Sequence, residues 1–335
     1  SDTGLFVSEL CFGAMSFGGT GMWQNIGEIQ QYEANQMVDR ALDAGINFFD
    51  TANVYSKGIS EEILGKALGS RRKDVVLATK VRGRMGEGVN DLGLSRVHVR
   101  QQVEESLKRL GTDYIDLYQI HGLDFYTSFE DTMQTLNDLV REGKVRYIGA
   151  SNHMAWQIMK MNGISDKHGW EKFKTLQAYY SIGARDLERE TVPLLKDQNM
   201  GLMVWSPLSG GFLSGKYKRN QSPEGNSRRK DFDFPPINKE RAYDIVEVME
   251  EIGANHNSSV AQVSLAWLRH QEVVSSIIVG VKRMDQLEDN IKSTEIQFSR
   301  DELAKLDEVS KPEPEYPGWM TERMNADRDP NTTQQ

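Results

Sequence analysis

The order of apolar and amphipathic segments along this chain predicts a (β/α)₈ barrel, the TIM-barrel fold of the α/β class. Eight short apolar runs alternate with longer segments of helical periodicity, which is typical of parallel strands joined by crossover helices. The runs are almost continuously apolar, as expected for a sheet that is covered on both faces. The predicted strands span residues 10–12, 47–50, 75–79, 114–120, 145–149, 175–178, 202–205 and 276–279.

The segments between these strands carry signals for the starts and ends of helices. Amphipathic stretches cover residues 33–44, 96–110, 129–141 and 187–198. Ser128 with Asp131, and Ser299 with Glu302, have the spacing of a capping box. Glycines stand where three of the helices should end, at Gly45, Gly111 and Gly143.

The interval between the seventh and eighth strands is longer than a single crossover requires. Residues 216–236 are rich in Lys, Arg, Gly, Ser and Pro, so we expect a mobile loop, which at this end of a barrel often serves as a lid. Helices at 239–255 and 258–270 should follow. We expect residues 1–335 to form one domain, with a flexible polar tail at 321–335.

The composition excludes several classes of protein. The chain has 335 residues, of which 38% are hydrophobic, so it can bury a large core. Its net charge of −9 argues against a nucleic-acid partner, and no apolar run approaches the roughly 18 residues that span a membrane. Cys11 is the single cysteine, which excludes an intrachain disulfide and fits a cytoplasmic protein. Because it lies in an apolar strand, we expect it to be buried as a small hydrophobic residue.

Polar residues collect at or near the carboxyl ends of the predicted strands. Enzymes built on (β/α)₈ barrels assemble their active sites at this end of the barrel. The residues are Asp50 and Tyr55, Lys80, His121, Ser151 with Asn152, Gln177, Trp205 with Ser206, and Gly280 to Lys282. A purely structural protein would have no reason to carry such a set, so the sequence predicts an enzyme.

Four of these residues suit proton transfer to a carbonyl oxygen. A tyrosine hydroxyl such as that of Tyr55 has an ordinary pKa near ~10, and a lysine ammonium close by lowers that pKa by favouring the phenolate. Asp50 would keep Lys80 protonated, and His121 could donate a hydrogen bond to a substrate oxygen. The set could protonate the alkoxide that forms when a hydride adds to a carbonyl. Taken singly, an Asp–Lys pair is also a common structural ion pair.

Other architectures and chemistries fit less well. Residues 13–19 do not follow the G-x-G-x-x-G pattern of a dinucleotide-binding Rossmann fold. Residues 210–216 have the spacing of a phosphate-binding P-loop, but Tyr217 stands where Ser or Thr must hold Mg²⁺. The six histidines lack metal-ligand spacing, so we expect no metal. An aldolase using Lys80 as a Schiff-base amine is disfavoured, because Asp50 should keep that amine charged.

These residues resemble the motifs of the aldo-keto reductases, in the aryl-alcohol-dehydrogenase-like and general-stress branch. Residues 45–55 read Gly-Ile-Asn-Phe-Phe-Asp-Thr-Ala-Asn-Val-Tyr, Lys80 closes the third strand, and residues 119–121 read Gln-Ile-His. Matching segments continue at 143–152, 176–181, 205–216 and 278–290. The resemblance implies a barrel with a short N-terminal hairpin and extra C-terminal helices.

The resemblance also implies roles for individual residues, with NADP(H) as the cofactor. Tyr55 would be the general acid, Lys80 and Asp50 its tuning pair, and His121 a second hydrogen bond to the carbonyl. The nicotinamide would be held by Ser151, Asn152, Gln177 and Trp205. The pyrophosphate and adenosine would be held by Ser206, Pro207, Leu208, Gly211, Ser214, Lys216, Arg228, Gly280, Lys282, Gln286, Asp289 and Asn290. Arg229 and Lys230 are placed as well as Arg228 to reach a phosphate.

Two further expectations concern selectivity. Lys282 with Arg283 favours a 2′-phosphate and therefore NADPH over NADH. Trp23 and Phe125 should lie at an apolar substrate pocket, and Gly122 stands after His121 where the family often has Arg. The implied activity is the reversible reduction of small-molecule aldehydes or ketones. The alternative is a cofactor-binding regulatory subunit that resembles the potassium-channel β subunits.

Overall fold

The computed structural model describes residues 2–20, 23–24, 26–219, 229 and 233–326. In this part of the chain, eight parallel strands close into a barrel in sequence order, which confirms the predicted fold. The strands are β1 (Leu10–Gly13), β2 (Phe48–Asp50), β3 (Val76–Val81), β4 (Ile115–Ile120), β5 (Val145–Ser151), β6 (Thr175–Tyr179), β7 (Gly201–Trp205) and β8 (Val274–Gly280). Strand β1 closes the barrel because it pairs with both β2 and β8.

Helices follow the strands and surround the barrel. The described helices are α1 (Gln31–Asp43), α2 (Ile59–Leu68), α3 (Arg96–Leu110), α4 (Phe129–Arg141), α5 (Ala155–His168), α6 (Thr191–Asp197), α7 (Lys239–His256), α8 (Val260–Arg269), α9 (Met284–Lys292), α10 (Arg300–Ser310) and α11 (Gly318–Ala326). The predicted bounds of α3 and α4 are confirmed, as are the two helices between β7 and β8. The extra C-terminal helices α10 and α11 are present.

The predicted helix signals operate in the structure. Gly45, Gly111 and Gly143 all have a positive φ after the helices that they end. Ser299 and Glu302 form a reciprocal capping box at the start of α10. At α4 the Ser128 side chain accepts a hydrogen bond from a backbone N–H, without a reciprocal bond from residue 131.

Apolar residues form two clusters that the strand alternation keeps apart. Phe49 and Tyr118 belong to the cluster between the strands and the helices, whereas Phe48 and Leu117, one position earlier, belong to a smaller cluster. Because successive strand residues point to opposite faces, the smaller cluster fills the barrel interior. It contains Cys11, Phe48, Val76, Ala78, Leu117, Met203 and Ile278, so the predicted burial of Cys11 is confirmed.

The predicted N-terminal hairpin is wrong for the residues that the structure describes. Residues 2–9 form no strand and run irregularly into β1. Side-chain hydrogen bonds replace strand pairing here. The side-chain oxygen Oδ1 of Asn47 accepts from the Ser8 N–H at 2.7 Å, and Nδ2 of the same side chain donates to the Phe6 backbone carbonyl at 3.1 Å. The segment also lacks a two-residue turn signal flanked by alternating apolar residues, which a hairpin requires.

Parts of two sequence predictions lie outside the described residues. Most of the predicted mobile loop at 216–236 is among them, since residues 220–228 and 230–232, including Arg228 and Lys230, are not described. The predicted tail at 321–335 overlaps α11 as far as residue 326, and residues 327–335 lie outside the description. Both the mobile loop and the flexible tail stay predictions.

A buried carboxylate joins the elements beside the β2–α2 turn. Glu61 of α2 is fully buried; its Oε1 accepts from the Thr79 hydroxyl at 2.6 Å and its Oε2 from Nε of Arg109 at 2.7 Å. The Arg109 side chain also packs against Gly58, where an added Cβ would lie 2.6 Å from Cδ of the arginine. This network therefore connects α2, β3 and α3 directly behind the turn that follows Asp50.

We expect Glu61→Ala to lower the free energy of unfolding by about 3–5 kcal/mol, because it leaves the Arg109 guanidinium in a largely buried position without its carboxylate. Glu105→Ala is the matched control, since Glu105 of α3 pairs with Lys108 at the surface and should cost about 1 kcal/mol or less. Urea unfolding measures both values. Equal effects of the two substitutions would contradict this account of the Glu61 network.

Candidate active site

The strand alternation aims polar residues into the carboxyl-terminal mouth of the barrel. Asp50, Lys80, Gln119 and Trp205 each lie two positions after an inward-facing apolar residue of the interior cluster, so their side chains also point inward. The interior core therefore forms the floor of a polar site. This placement is the reason that residues distant in sequence meet at one end of the barrel.

Tyr55 is presented by a strained turn after β2. The 3₁₀ turn Tyr55–Gly58 contains Ser56 with φ 49° and Lys57 with φ 54°, a left-handed conformation that costs about 1–3 kcal/mol for such residues. The buried Ser56 hydroxyl accepts from the Gly19 N–H at 2.9 Å and donates to the Phe17 carbonyl at 3.1 Å. The loop after β1 thus holds the conformation that directs Tyr55 into the site.

Lys80 is the charged centre of the site. Its ammonium is completely buried and donates to Oδ2 of Asp50 at 2.5 Å, to the carbonyl of Thr51 at 2.8 Å and to the Tyr55 hydroxyl at 3.3 Å. Burial lowers the pKa of Lys80, but the charges and hydrogen bonds of Asp50 and Tyr55 outweigh burial, and the net pKa is raised. Lys80 is therefore an ammonium at neutral pH, in contact with a phenol oxygen.

His121 lies beside Tyr55, with the two ring centroids 5.8 Å apart and the planes at 77°. Burial, together with the positive charges of Lys80 and Arg82, lowers the pKa of His121 to about 3. The imidazole is therefore neutral at physiological pH. A neutral imidazole can donate one hydrogen bond to an oxygen without taking part in proton release.

Asp50 also contacts two buried amides through its second oxygen. Its Oδ1 accepts from Nε2 of Gln177 at 2.9 Å and from Nε2 of Gln119 at 3.2 Å, and the two amides are joined by a third hydrogen bond of 3.3 Å. The structure thus brings Gln177 into contact with Asp50, one of the predicted catalytic residues. Gln119 was part of the sequence motif, but its contacts were not predicted; a polar residue two positions before His121 inside an apolar strand was the available signal.

Ser151, Asn152 and Trp205 form the adjoining part of the site. Ser151 pairs in register with Gln177, and its buried hydroxyl has no hydrogen-bond partner among the described residues. The Asn152 amide donates to the His121 carbonyl at 3.2 Å and accepts from the Trp205 indole at 2.9 Å. Trp205 lies against Tyr179 and is stacked on Phe234, with centroids 5.1 and 5.9 Å away.

The segment after β7 is a glycine-rich 3₁₀ turn, Ser209–Ser214. Gly210 and Gly211 have positive φ, and the Ser206 hydroxyl accepts from the Gly210 N–H at 2.9 Å. The Lys216 ammonium lies over Gly211, where an added Cβ would be 3.5 Å from it. Pro207 is buried, Leu208 packs against the core, and the Ser214 hydroxyl donates to the carbonyl of Gly211.

Positively charged side chains lie where this turn meets the end of β8. Burial lowers the pKa of Lys216, and the positive charge of Arg283 lowers it further. Lys282 pairs with Glu28 at 2.9 Å, and its backbone N–H donates to the Gln286 side chain. The neighbouring cations Lys216 and Arg283 favour an anionic group between them. Arg229 is buried and donates to the Ser209 carbonyl at 2.6 Å, so it braces the turn.

The other residues predicted to bind the cofactor at and after the end of β8 lie in different environments. Gly280 is exposed. Both carboxylate oxygens of Asp289 are engaged at the start of α8, by the Ser259 hydroxyl at 2.8 Å and by the Gln262 amide at 2.7 Å. Asn290 is buried. Among these residues, Asp289 is therefore connected to the outer helix α8.

The two residues predicted for the substrate pocket lie in different places. Trp23 packs edge-on against Tyr55, with the ring centroids 5.1 Å apart, so the structure brings it to the predicted general acid. Phe125 is 87% exposed and borders a separate surface depression with Phe129 and Trp156. Among the described residues, Phe125 makes no ring contact with Tyr55 or His121.

Arg82 is a residue of the rim that the sequence reasoning missed. Its Nε donates to the Leu123 carbonyl at 2.9 Å, and its side chain lies over Gly122, where an added Cβ would be 3.6 Å from Cδ. A Cβ at Gly122 would therefore be in ordinary van der Waals contact with Arg82. A cation two residues after Lys80 was the available signal.

The described residues also bear on metal sites and membrane spans. Within residues 2–326, apart from the undescribed positions, no group of three His, Cys, Asp or Glu side chains is placed to hold a metal ion. In the same part of the chain, no helix is long and apolar enough to cross a membrane.

The barrel, with its inward Lys–Asp–Tyr–His group and a glycine-rich turn beside cations, indicates an oxidoreductase. The chain matches the Aldo/keto reductase family over residues 9–311, and it belongs to that family.

Relatives support the same assignment over nearly the whole length. A Schizosaccharomyces pombe protein that carries the name of an aryl-alcohol dehydrogenase is 35% identical, over 93% of this chain and 95% of its own length. Versiconal hemiacetal acetate reductase of Aspergillus parasiticus is also 35% identical, over 95% and 97%. An Arabidopsis thaliana protein named as a voltage-gated potassium channel subunit beta is 34% identical, over 94% and 96%.

The residues of the site fit a nicotinamide cofactor, of the kind that this family generally binds. The unpartnered, buried hydroxyl of Ser151 and the amides of Asn152 and Gln177 offer donors and acceptors to a carboxamide. Trp205 offers an aromatic surface, and the turn 209–214 with Lys216 offers backbone and charge to a pyrophosphate.

We expect His121 to contribute an acid-sensitive part of the stability. Its pKa of about 3 in the folded protein lies below the ordinary value of about 6.5 in the unfolded chain, so the unfolded chain binds the proton first as the pH falls. The contribution is complete above about pH 6.5 and is lost progressively towards about pH 3. Urea unfolding at a series of pH values should show a shallower acid loss for His121→Gln than for the wild type. Parallel curves would contradict the shifted pKa.

Proposed function

We propose that this protein is an NADPH-dependent reductase of aldehydes or ketones, acting reversibly on the corresponding alcohols, with Tyr55 as the general acid. The observation that carries the proposal is the buried Lys80 ammonium, which contacts both the Tyr55 hydroxyl at 3.3 Å and the Asp50 carboxylate at 2.5 Å. A purely structural ion pair would not need a phenol hydroxyl as its third partner at the mouth of the barrel.

The mechanism follows from the charges of these residues. A substrate carbonyl oxygen would lie between the Tyr55 hydroxyl and the neutral His121 imidazole, which are neighbours in the site. The bound cofactor would supply a hydride to the carbonyl carbon. Tyr55 would donate its proton to the oxygen as negative charge develops there, and the Lys80 ammonium would stabilise the phenolate that remains. Asp50 keeps Lys80 charged throughout.

The cofactor assignment rests on the arrangement of amides and cations. Ser151, Asn152 and Gln177 would hold the carboxamide, and Trp205 would stack on the nicotinamide ring. The pyrophosphate would lie on the turn formed by Ser206, Pro207, Leu208, Gly211 and Ser214, beside Lys216. The adenosine end would contact Gly280, Lys282, Gln286, Asp289 and Asn290, and Arg228 is proposed as a further phosphate contact outside the described residues.

The substrate is proposed to be a carbonyl compound with an apolar or aromatic body. Trp23 covers the Tyr55 ring and would form one wall of the pocket. Phe125 is proposed to contact larger substrates at the mouth, from its exposed position after β4. We further propose that the protein acts in the cytoplasm as a single barrel domain.

A cofactor-binding regulatory subunit is the second candidate. It is favoured by the similarity to the Arabidopsis thaliana protein named as a voltage-gated potassium channel subunit beta. The two proposals differ in turnover. An enzyme should oxidise NADPH in many cycles with a suitable aldehyde, whereas a regulatory subunit should bind NADPH tightly and turn over very slowly.

We expect Tyr55→Phe to reduce carbonyl reduction by roughly 10²–10⁴-fold, because it removes the proton donor and leaves the ring in place. The measurement is the loss of NADPH absorbance with a panel of aromatic and aliphatic aldehydes. Binding of NADPH, followed by fluorescence, should be retained in the variant and serves as the control for folding. Equal rates in the two proteins would refute Tyr55 as the general acid.

We expect Lys282→Ala to weaken NADPH binding about tenfold or more and to leave NADH binding nearly unchanged, because only NADPH carries the 2′-phosphate. Lys292→Ala, an exposed lysine at the other end of α9, is the matched control. Dissociation constants of both cofactors measure the preference. An unchanged ratio of the NADPH and NADH dissociation constants in Lys282→Ala would show that Lys282 does not bind the 2′-phosphate.

A further inference from the structure

The buried amide of Gln177 makes both of its N–H hydrogen bonds within the barrel. Its Nε2 donates to Oδ1 of Asp50 at 2.9 Å and to Oε1 of Gln119 at 3.3 Å. Gln119 in turn donates its own Nε2 to Oδ1 of Asp50 at 3.2 Å. The three side chains form a closed triangle in which all members are buried.

The charge of Asp50 dictates the direction of every bond in this triangle. The Lys80 ammonium can only donate, and it occupies Oδ2 of Asp50. Oδ1 can only accept, so both amides must turn their NH₂ groups towards it. If the Gln177 amide were reversed, its carbonyl oxygen would face a carboxylate oxygen, which is repulsive. The side-chain oxygen Oε1 of Gln177 is therefore directed away from Asp50, and it makes no hydrogen bond to any described residue.

Space is provided for this arrangement by Gly149 on the neighbouring strand. Gln119 and Gly149 are register partners, and a Cβ at Gly149 would lie 3.1 Å from Cγ of Gln119. The same Cβ would lie 2.5 Å from the Thr175 hydroxyl, so a larger residue at this position would crowd both Thr175 and Gln119. On the other side, the unpartnered hydroxyl of Ser151 lies in register with Gln177. The site therefore offers an acceptor at Gln177 beside a hydroxyl that can donate.

We infer that Asp50, through Oδ1, and Gln119 act as positioning residues for the side-chain amide of Gln177. They fix its oxygen Oε1 towards the cofactor site, so that the site requires a hydrogen-bond donor at this point. A nicotinamide carboxamide satisfies it with its NH₂ group. A ring substituent with only a carbonyl oxygen would leave Gln177 without a partner. The inference rests on the proposed function and extends it, because it gives Asp50 a second task besides holding Lys80.

The test compares NADP⁺ with its 3-acetylpyridine analogue, in which a methyl ketone replaces the carboxamide and removes the NH₂ donor. Titration calorimetry gives both dissociation constants without any turnover. We expect the wild type to bind NADP⁺ about tenfold more tightly than the analogue, since the analogue leaves a buried acceptor unpaired. This ratio of dissociation constants is the quantity that the variants should change.

Asp50→Asn should reverse the direction of the hydrogen bonds between residue 50 and the two glutamines. The introduced amide must offer its carbonyl oxygen to the Lys80 ammonium, and its NH₂ group then faces the two glutamines. Gln177 would rotate and present its NH₂ group to the cofactor site, so that the analogue binds as tightly as NADP⁺ or more tightly.

Gln119→Met keeps the charge of Asp50 and removes one of the two anchors of Gln177. We expect its ratio of dissociation constants to fall between those of the wild type and Asp50→Asn. If Asp50→Asn does not fold, Gln119→Met alone tests the inference. Gln102→Met is the matched control: it removes a buried amide of α3 that contacts Asn53 instead of Asp50, and it should keep the wild-type ratio.

A wild-type ratio in Gln119→Met would overturn the inference. If the wild type binds NADP⁺ but the ratio does not respond to these variants, the inference alone fails and the proposed function stands. A wild type that binds neither nucleotide would overturn the proposed function together with the inference.

Discussion

The buried ion pair of Lys80 and Asp50 is the interaction on which the rest of the site depends. A lysine ammonium without contact to water is stable only where a carboxylate and further acceptors surround it. Asp50 meets this need at 2.5 Å, with the Thr51 carbonyl and the Tyr55 hydroxyl as the other acceptors. The requirement for a third acceptor draws Tyr55 inward. The strained turn at Ser56 and its hydrogen bonds to the loop after β1 are the structural consequence.

Asp50 also connects the two halves of the site. One oxygen accepts from Lys80 on the side proposed for proton transfer, and the other accepts from the amides of Gln119 and Gln177 on the side proposed for the cofactor. Since a carboxylate accepts only, a single charge sets the direction of hydrogen bonds across β2, β3, β4 and β6. Burial, together with the positive charges of Lys80 and Arg82, lowers the pKa of His121 and keeps its imidazole neutral.

The sequence predicted the parts that depend on local pattern, and it failed where contacts between strands decide. The bounds of α3 and α4 follow from periodicity and capping, and the residues at the strand ends were found because barrel geometry places them together. The hairpin before β1 was wrong, because it came from the resemblance and residues 2–9 have no turn signal of their own. The contacts of Gln119 and the shifted pKa of His121 could not be predicted, since both depend on which side chains face each other inside the barrel.

Replacement of Lys80 tests the central account most directly. Lys80→Met keeps the length of the side chain and removes its charge, and reduction of one aldehyde can be compared with that of the wild type at saturating NADPH. The account predicts a variant that still binds NADPH but is slower by roughly 10²-fold or more, because Tyr55 has lost the charge that stabilises its phenolate. A folded Lys80→Met protein that reduces the aldehyde at a rate near that of the wild type would contradict it.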